Sequence, residues 1–431
     1  MAPLVSVIMA TYGRGAHIRP SIASALRQTY RDFELIVVGD GCTGAEAETV
    51  AAFGSDRLSW IPLSQNSGSQ AAPNNAGMTA ARGEWIAYLG HDDIWSAQHL
   101  QHLVDRANAA DEPDFVVSIC LYHGPPSTGA RSVNGDFAGQ GDPQRHFFPP
   151  SSFMHRRELG VRLGGFRDPR TVRLPDDADF VVRAAQAGAR FGSTRSVTVH
   201  KFAAGHRYLA YLQPDSSEQE AMLRDPRLDR PDAWSAEIET IRRNGGYMTM
   251  GYPDNIDAFE PGAMFAANRS NKGLARPALR PLNRNCYIEQ TAELRALDWY
   301  PLEQGPVPFR WSGPSAWPKI LLPVTHSGAA RIALHCLEAP AGFDELTAYQ
   351  NGSRLPHRLV RRKEETLVVI EAVLAKDDYS VLQLHTKIGH ANGCNRPVGV
   401  ALAGIRIDAL SSVKRTFARA GSRWFGMRAK H

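Results

Sequence analysis

Two acidic pairs carry the chemistry most open to interpretation in this chain of 431 residues: Asp92–Asp93 in "YLGHDDIW" and Asp176–Asp177 in "RLPDDADF". A further carboxylate, Asp40, sits between glycines in "VVGDGC", and Thr11, Tyr12 and Arg14 follow an apolar run in "VIMATYGR". Carboxylates beside an arginine and a permissive glycine backbone suit a hard divalent cation bridged to a diphosphate, with one carboxylate left to accept hydrogen bonds from a base or ribose. Either pair could instead open a helix, where negative charge meets the N-terminal dipole favourably.

The elements around these residues decide whether they meet. Leu4–Met9, Phe33–Val38, Leu58–Leu63, Trp85–Leu89 and Phe115–Ile119 are short apolar, β-branched runs of buried-strand length. Between them Ile18, Ile22, Ala25 and Leu26, then Leu100, Leu103, Val104 and Ala107, recur at helical spacing, the second set behind Ser96 as an expected N-cap. Strands alternating with helices predict an α/β domain with a mostly parallel sheet and helices on both faces. Such sheets bind ligands at the carboxyl ends of their strands, where Thr11 to Arg14, Asp40 and Asp92–Asp93 would converge.

The ordered blocks "VSVIMATYGR", "QTYRDFELIVVGDG" and "NSGSQAAPNNAGMTAARGEWIAYLGHDDIW" resemble family 2 glycosyltransferases of the GT-A fold, of the bacterial surface-polysaccharide type, over about the first 120 residues. The resemblance implies an inverting transferase that moves a sugar from a nucleotide-sugar, UDP-sugars favoured, with Mn²⁺ or Mg²⁺. It assigns Thr11, Tyr12, Arg14 and Asp40 to the nucleotide pocket, and Asn66, Gly68, Asn74 and Asn75 to the segment that closes over it. In the family's D-x-D-D loop, Asp92 matches the metal ligand and Asp93 the acidic residue after it. Gly90 replaces the first aspartate, Gly39 the first aspartate of D-D-G and Pro73 the usual arginine, and His91 could be a replacement ligand, a diphosphate donor or a histidine satisfied structurally in its loop.

An inverting transfer needs a base, because the acceptor hydroxyl loses its proton as it attacks the anomeric carbon. "PDDADFVVRAAQ" resembles the family's E-D-x-D-L-x-x-R segment, which makes Asp177 the base, with Asp176 at the Glu position, Asp179 at the later Asp and Arg183 at the Arg. His200 and His206 follow a strand-like run and could reach the metal or the diphosphate, as late histidines do in some GT-A enzymes, or be exposed or core histidines; His200 is the expected second metal ligand.

The remainder divides by composition. Residues 1–215 form the expected GT-A domain, 216–288 a helical linker on the acceptor side, 289–410 an all-β sandwich, and 411–431 a tail. The sandwich is read from alternating runs such as "ARIALHCL" and "TLVVIEAVL", with Asn351-Gly352 as a hairpin signal. Its Trp299, Trp311 and Trp317 could stack on sugars or pack in a core. The tail carries six basic and no acidic residues, with Val413, Phe417, Trp424 and Met427 on one helical face; this suits an anionic membrane surface or the protein's own body. Without the tail the net charge of +5 nearly vanishes, so no nucleic-acid partner is expected.

Apolar content of 43% and charged content of 22% are those of a globular protein. Five scattered cysteines form no Cys-x-x-Cys pair, and with no signal-type or spanning segment the expected location is cytoplasmic, either free or peripheral on the inner membrane face. The expected acceptor is a growing surface glycan, free or lipid-linked. Two rivals stand beside this: a non-catalytic glycan-binding scaffold on a degenerate GT-A fold, favoured by Gly39 and Gly90, and a nucleotidyltransferase, for which the first loop offers only Arg14.

Overall fold

A computed structural model of the chain describes residues 4–126, 129–136, 143–207, 210–243, 259–271, 274, 279–290, 296–297, 299–313, 316–350, 353–363, 365–391 and 397–410. The basic tail and the Asn351-Gly352 dipeptide lie outside these residues. β1 (Val5–Thr11), α1 (Arg19–Leu26), β2 (Phe33–Asp40), α2 (Ala45–Ala51), β3 (Leu58–Leu63), α3 (Ala71–Ala80) and β4 (Trp85–Tyr88) follow in chain order. β1 pairs in parallel with β2 and β4, and β2 with β3. β2 and β4 are buried throughout, and β1 apart from Ala10, on both faces, as strands covered by helices require, while β3 at the sheet edge is only half-buried.

The sheet then becomes mixed. β5 (Ile94–Trp95), α4 (His99–Ala107), β6 (Phe115–His123), β7 (Arg131–Asn134), β8 (Phe153–Arg156), α5 (Arg157–Arg162), α6 (Asp176–Gln186) and β9 (Phe191–Lys201) complete the order β3-β2-β1-β4-β8-β6-β9-β5, with β7 beside β6. β8 runs antiparallel to β4 and β6, while β6 and β9 are parallel. One apolar layer packs Ile18, Ile22, Leu100, Leu103 and Val104 under one face; another packs Met78, Phe166, Phe180 and Val181 over the opposite face.

Ser96 is not the N-cap of α4. That helix starts at His99 after Gln98, and the Ser96 carbonyl instead accepts from His99 N and from Gln28 Nε2. α7 (Ser217–Arg224) and α8 (Ser235–Arg243) fold onto the sheet edge, where Met222, Trp234 and Ile238 join Ile94, Leu121 and Val197 in one cluster. α9 (Ala263–Asn271) follows.

The last third is all-β. Strands Asn285–Glu289, Ala401–Ala409, Ala329–Glu338, Thr366–Val373 and His357–Arg361 form one antiparallel sheet. Ala296–Leu297, Lys319–Leu322, Ser380–His385, Thr347–Gln350 and Ser353–Leu355 form a second. Inward side chains of both, among them Ile332, Ile370 and Ile405 from the first and Ile320, Leu382 and Leu384 from the second, make one core. Gln350 is paired with Ser353. Among the described residues no helix is long and apolar enough to cross a membrane.

Candidate functional site

The carboxyl ends of β1, β2 and β4, the start of α6 and the end of β9 surround a cavity of about 350 Å³. Its lining includes Thr11, Tyr12, Asp40, Asn66, Gly68, Asn74, His91, Asp92, Asp176 and Asp177, so the structure gathers ten of the residues expected from the sequence.

At one end Asp40 terminates β2. Its carboxylate accepts from Asn66 Nδ2 at 2.9 Å and from the amide and hydroxyl of Ser67 at 2.9 and 3.0 Å. Burial raises its pKa, while the Ser67 bonds pull the other way. Asn66 therefore orients Asp40. Tyr12 stacks on Tyr211 at 6.3 Å, and His91 Nδ1 stands 3.2 Å from Thr11 Oγ1.

At the other end α6 begins with Asp176 and Asp177, which are 8% and 9% exposed. Gln70 Nε2 donates to Asp176 Oδ1 at 3.0 Å, and the Ala178 amide donates to Asp177 Oδ1 at 2.9 Å. Burial, with the Asp176 charge second, raises Asp177 from an ordinary 3.8 to about 6. Arg183, one turn on, donates to Asp179 at 2.7 Å and to the Leu163 and Gly165 carbonyls, which fixes the helix against the preceding loop.

Four expected residues lie outside the cavity lining. Arg14 turns its guanidinium to the carbonyls of Ala210 and Asp215, at 2.9 and 3.2 Å, and so anchors the segment that carries Tyr211. Asn75 clamps the backbone of Phe166 through both its side-chain atoms. Asp93 is fully buried and accepts from Ser151 Oγ, Phe202 N and Lys201 Nζ. His200 points to the opposite face of β9, against Trp234 and His123, and burial lowers its pKa to about 3. It is not brought to Asp92.

Successive strand residues face opposite sides, so Lys201 takes the place expected for His200. Lys201 lies in the cavity wall with Nζ 3.0 Å from Asp93. Burial would lower its pKa, but the Asp93 and Asp92 carboxylates outweigh that and raise it, so the ammonium keeps its proton. It also acts electrostatically on Asp177. Sequence reading missed Lys201; parity along "SVTVHKF" was the available signal, obscured by a register shift between β6 and β9. Arg269 and Phe265 of α9, and Trp317 and Lys319 of the β region, also line the cavity. His206 does so too, held by Gln383 Nε2 at 2.7 Å. Trp299 and Trp311 are core residues.

The two glycines that depart from the family pattern are locked by their neighbours. A Cβ on Gly39 would run into the Trp60 ring, and one on Gly90 would stand 2.6 Å from Asp93 Oδ2.

Residues 6–162 match the family described as Glycosyl transferase family 2. An uncharacterized glycosyltransferase of Nostoc sp. (strain PCC 7120) is 32% identical over 227 residues, which is 50% of this chain and 70% of that protein. The succinoglycan biosynthesis protein ExoO of Rhizobium meliloti is 39% identical over 108 residues, covering 25% of this chain and 31% of ExoO. The crystal structure of Staphylococcus aureus TarS 1-349 in complex with UDP-GlcNAc shares 17% identity at a TM-score of 0.40, over 64% of this chain and 88% of that one. The chain spans 36% of the length of the Rickettsia prowazekii and Rickettsia typhi relatives it matches. Taking the family match over the first sheet together with the long Nostoc alignment, the chain belongs to glycosyl transferase family 2.

Proposed function

We propose that the chain is an inverting glycosyltransferase that moves a sugar from a nucleoside diphosphate-sugar, UDP-sugars favoured, to a hydroxyl of a growing bacterial surface glycan, free or lipid-linked. The observation that carries this reading is the opening of α6 into the same cavity as the strand-end loops, with Asp177 at about 6. A carboxylate of that pKa is ionised at neutral pH yet basic enough to take a proton in the transition state. In the proposed step the acceptor oxygen bonds to the anomeric carbon and its proton passes to Asp177. The bond from that carbon to the diphosphate oxygen breaks, and its electron pair leaves on the nucleoside diphosphate. Asp40, oriented by Asn66 and Ser67, would take the base or ribose.

A Mn²⁺ or Mg²⁺ ion would find Asp92 as the one carboxylate of its loop that faces the cavity, because Asp93 is enclosed by its three donors and His200 lies on the far side of β9. His91 is engaged with Thr11 and His206 with Gln383, and among the described residues no three His, Cys, Asp or Glu side chains gather into a metal-holding group, so the residues present do not by themselves fit a resident cation. The pair opens α6, as a purely structural role would also have it, but both carboxylates line the cavity that holds Asp40 and Asp92, which favours the catalytic reading over the scaffold.

The test is release of nucleoside diphosphate from UDP-, GDP- and dTDP-sugars in the presence of glycan acceptors. Turnover of none of them would leave the scaffold reading. The basic tail, in this proposal, rests on the anionic inner membrane face; deleting residues 411–431 should abolish co-sedimentation with anionic vesicles, and undiminished binding would refute the anchor.

A further inference from the structure

The catalytic end of the cavity is crowded with negative charge. Asp92, Asp176 and Asp177 line it, and Asp93 lies just behind. A diphosphate entering there is itself anionic and becomes more so as the sugar leaves, so some cation must face it. Three cationic side chains lie among the described lining residues. Arg269 stands beside Gly68 at the Asp40 end, and Lys319 belongs to the β region; Lys201 alone reaches the carboxylates of the strand-end loop.

We propose that Lys201 binds the donor's diphosphate and carries the charge that develops on it when the sugar departs, so that binding and turnover need no divalent cation. This rests on the reading of the chain as a nucleotide-sugar transferase.

Lys201 is positioned rather than flexible. One of its three N–H donors bonds Asp93, whose two oxygens are themselves fixed by Ser151 and the Phe202 amide. The Lys201 side chain keeps 18% of its surface exposed while that of Asp93 keeps none, so the cation of this pair faces the cavity and the anion does not. Asp93 thus serves as a socket for the ammonium, which is preorganised for an oxyanion without reorganisation during reaction. Gly90 completes the arrangement, since a side chain there would meet Asp93 and Ser151 and disturb the socket. A divalent cation approaching Asp92 would meet a resident positive charge.

The experiment is calorimetric titration of the full chain with UDP, GDP and dTDP, in EDTA and then in Mn²⁺, with thermal melts to establish folding. Wild type should bind one diphosphate equally well in both buffers. Lys201→Met alone strands a buried carboxylate, so it is combined with Asp93→Asn; this variant should lose at least about tenfold in affinity for the diphosphate while binding the bare nucleoside as before. Lys201→Arg, which keeps the charge, should retain binding. Binding by wild type only with Mn²⁺, or undiminished diphosphate binding by the double variant, would overturn the role of Lys201 and leave the transferase reading standing. Should no nucleotide bind in either buffer, both fall together. If the double variant does not fold, the wild-type comparison in EDTA still decides.

Discussion

Asp177 is subject to two opposing pressures. Its burial beside Asp176 raises its pKa to about 6, which suits a base, yet the same burial makes its ionised form costly to keep in the fold. Because the folded value lies above the unfolded one, the stability this group contributes is complete below about 3.8 and is lost as pH rises through about 6. Asp177→Asn should therefore lower turnover by on the order of 10²-fold or more, leave nucleotide affinity unchanged, and stabilise the protein at pH 7.5 by about 2 kcal/mol. Wild-type turnover should show an acid limb near pH 6. Unaltered turnover in the variant would remove the base role. Gly90 makes a different kind of prediction. Gly90→Asp, which restores the family residue, should destabilise by roughly 1–3 kcal/mol in a denaturant melt through its clash with Asp93, rather than confer metal dependence. At this scale the sequence was readable where a motif named a position, as with Asp40, Asp92 and Asp177. It was not readable where a side chain's direction mattered: Arg14 and Asn75 match the pattern but spend their hydrogen bonds on distant backbone.

At the scale of elements, the site depends on where α6 begins. Arg183 ties that helix to the 163–165 turn and to Asp179, with side chains only 9% and 11% exposed. Arg183→Ala leaves Asp179 and two carbonyls without this partner and should cost about 3 kcal/mol, while reducing kcat more than it weakens nucleotide binding. Equal stability by calorimetry would show the pair to be dispensable. Periodicity made β1 through β4 and their helices legible, since covered parallel strands and amphipathic helices write their burial into the sequence. Two features escaped it. Ser96 looked like a cap because of its residue type, but the bonds of Gln28 and His99 use its carbonyl instead. On β9 an error of one residue separates His200 from Lys201, and parity reverses the face completely.

In the whole molecule the β region closes the cavity rather than standing apart from it. Trp317 lies in the lining, its ring 4.4 Å from His385 and 5.9 Å from His206, and Gln383 holds His206 from the same sheet. Trp317→Ala should raise the acceptor KM about tenfold with donor affinity unchanged, as expected of an aromatic contact remote from the nucleotide end. An unaffected acceptor KM would place the acceptor elsewhere. Alternation made the sandwich itself legible. Its share in the cavity was not, because a contact between residues 206 and 383 leaves no trace in local pattern.

That contact also sets an order of events during synthesis. Asp40, Asp92 and Asp177 leave the ribosome early and can settle into their sheet, but Trp317, Lys319 and Gln383 are translated well over a hundred residues after Asp177. Until they arrive, the first sheet has its acidic pair and its strand-end loops but an incomplete cavity wall on the side of the β region. A chain cut short before Trp317 would thus present its strand-end carboxylates in an open cleft, and the cavity gains its remaining wall only once the β region has been made.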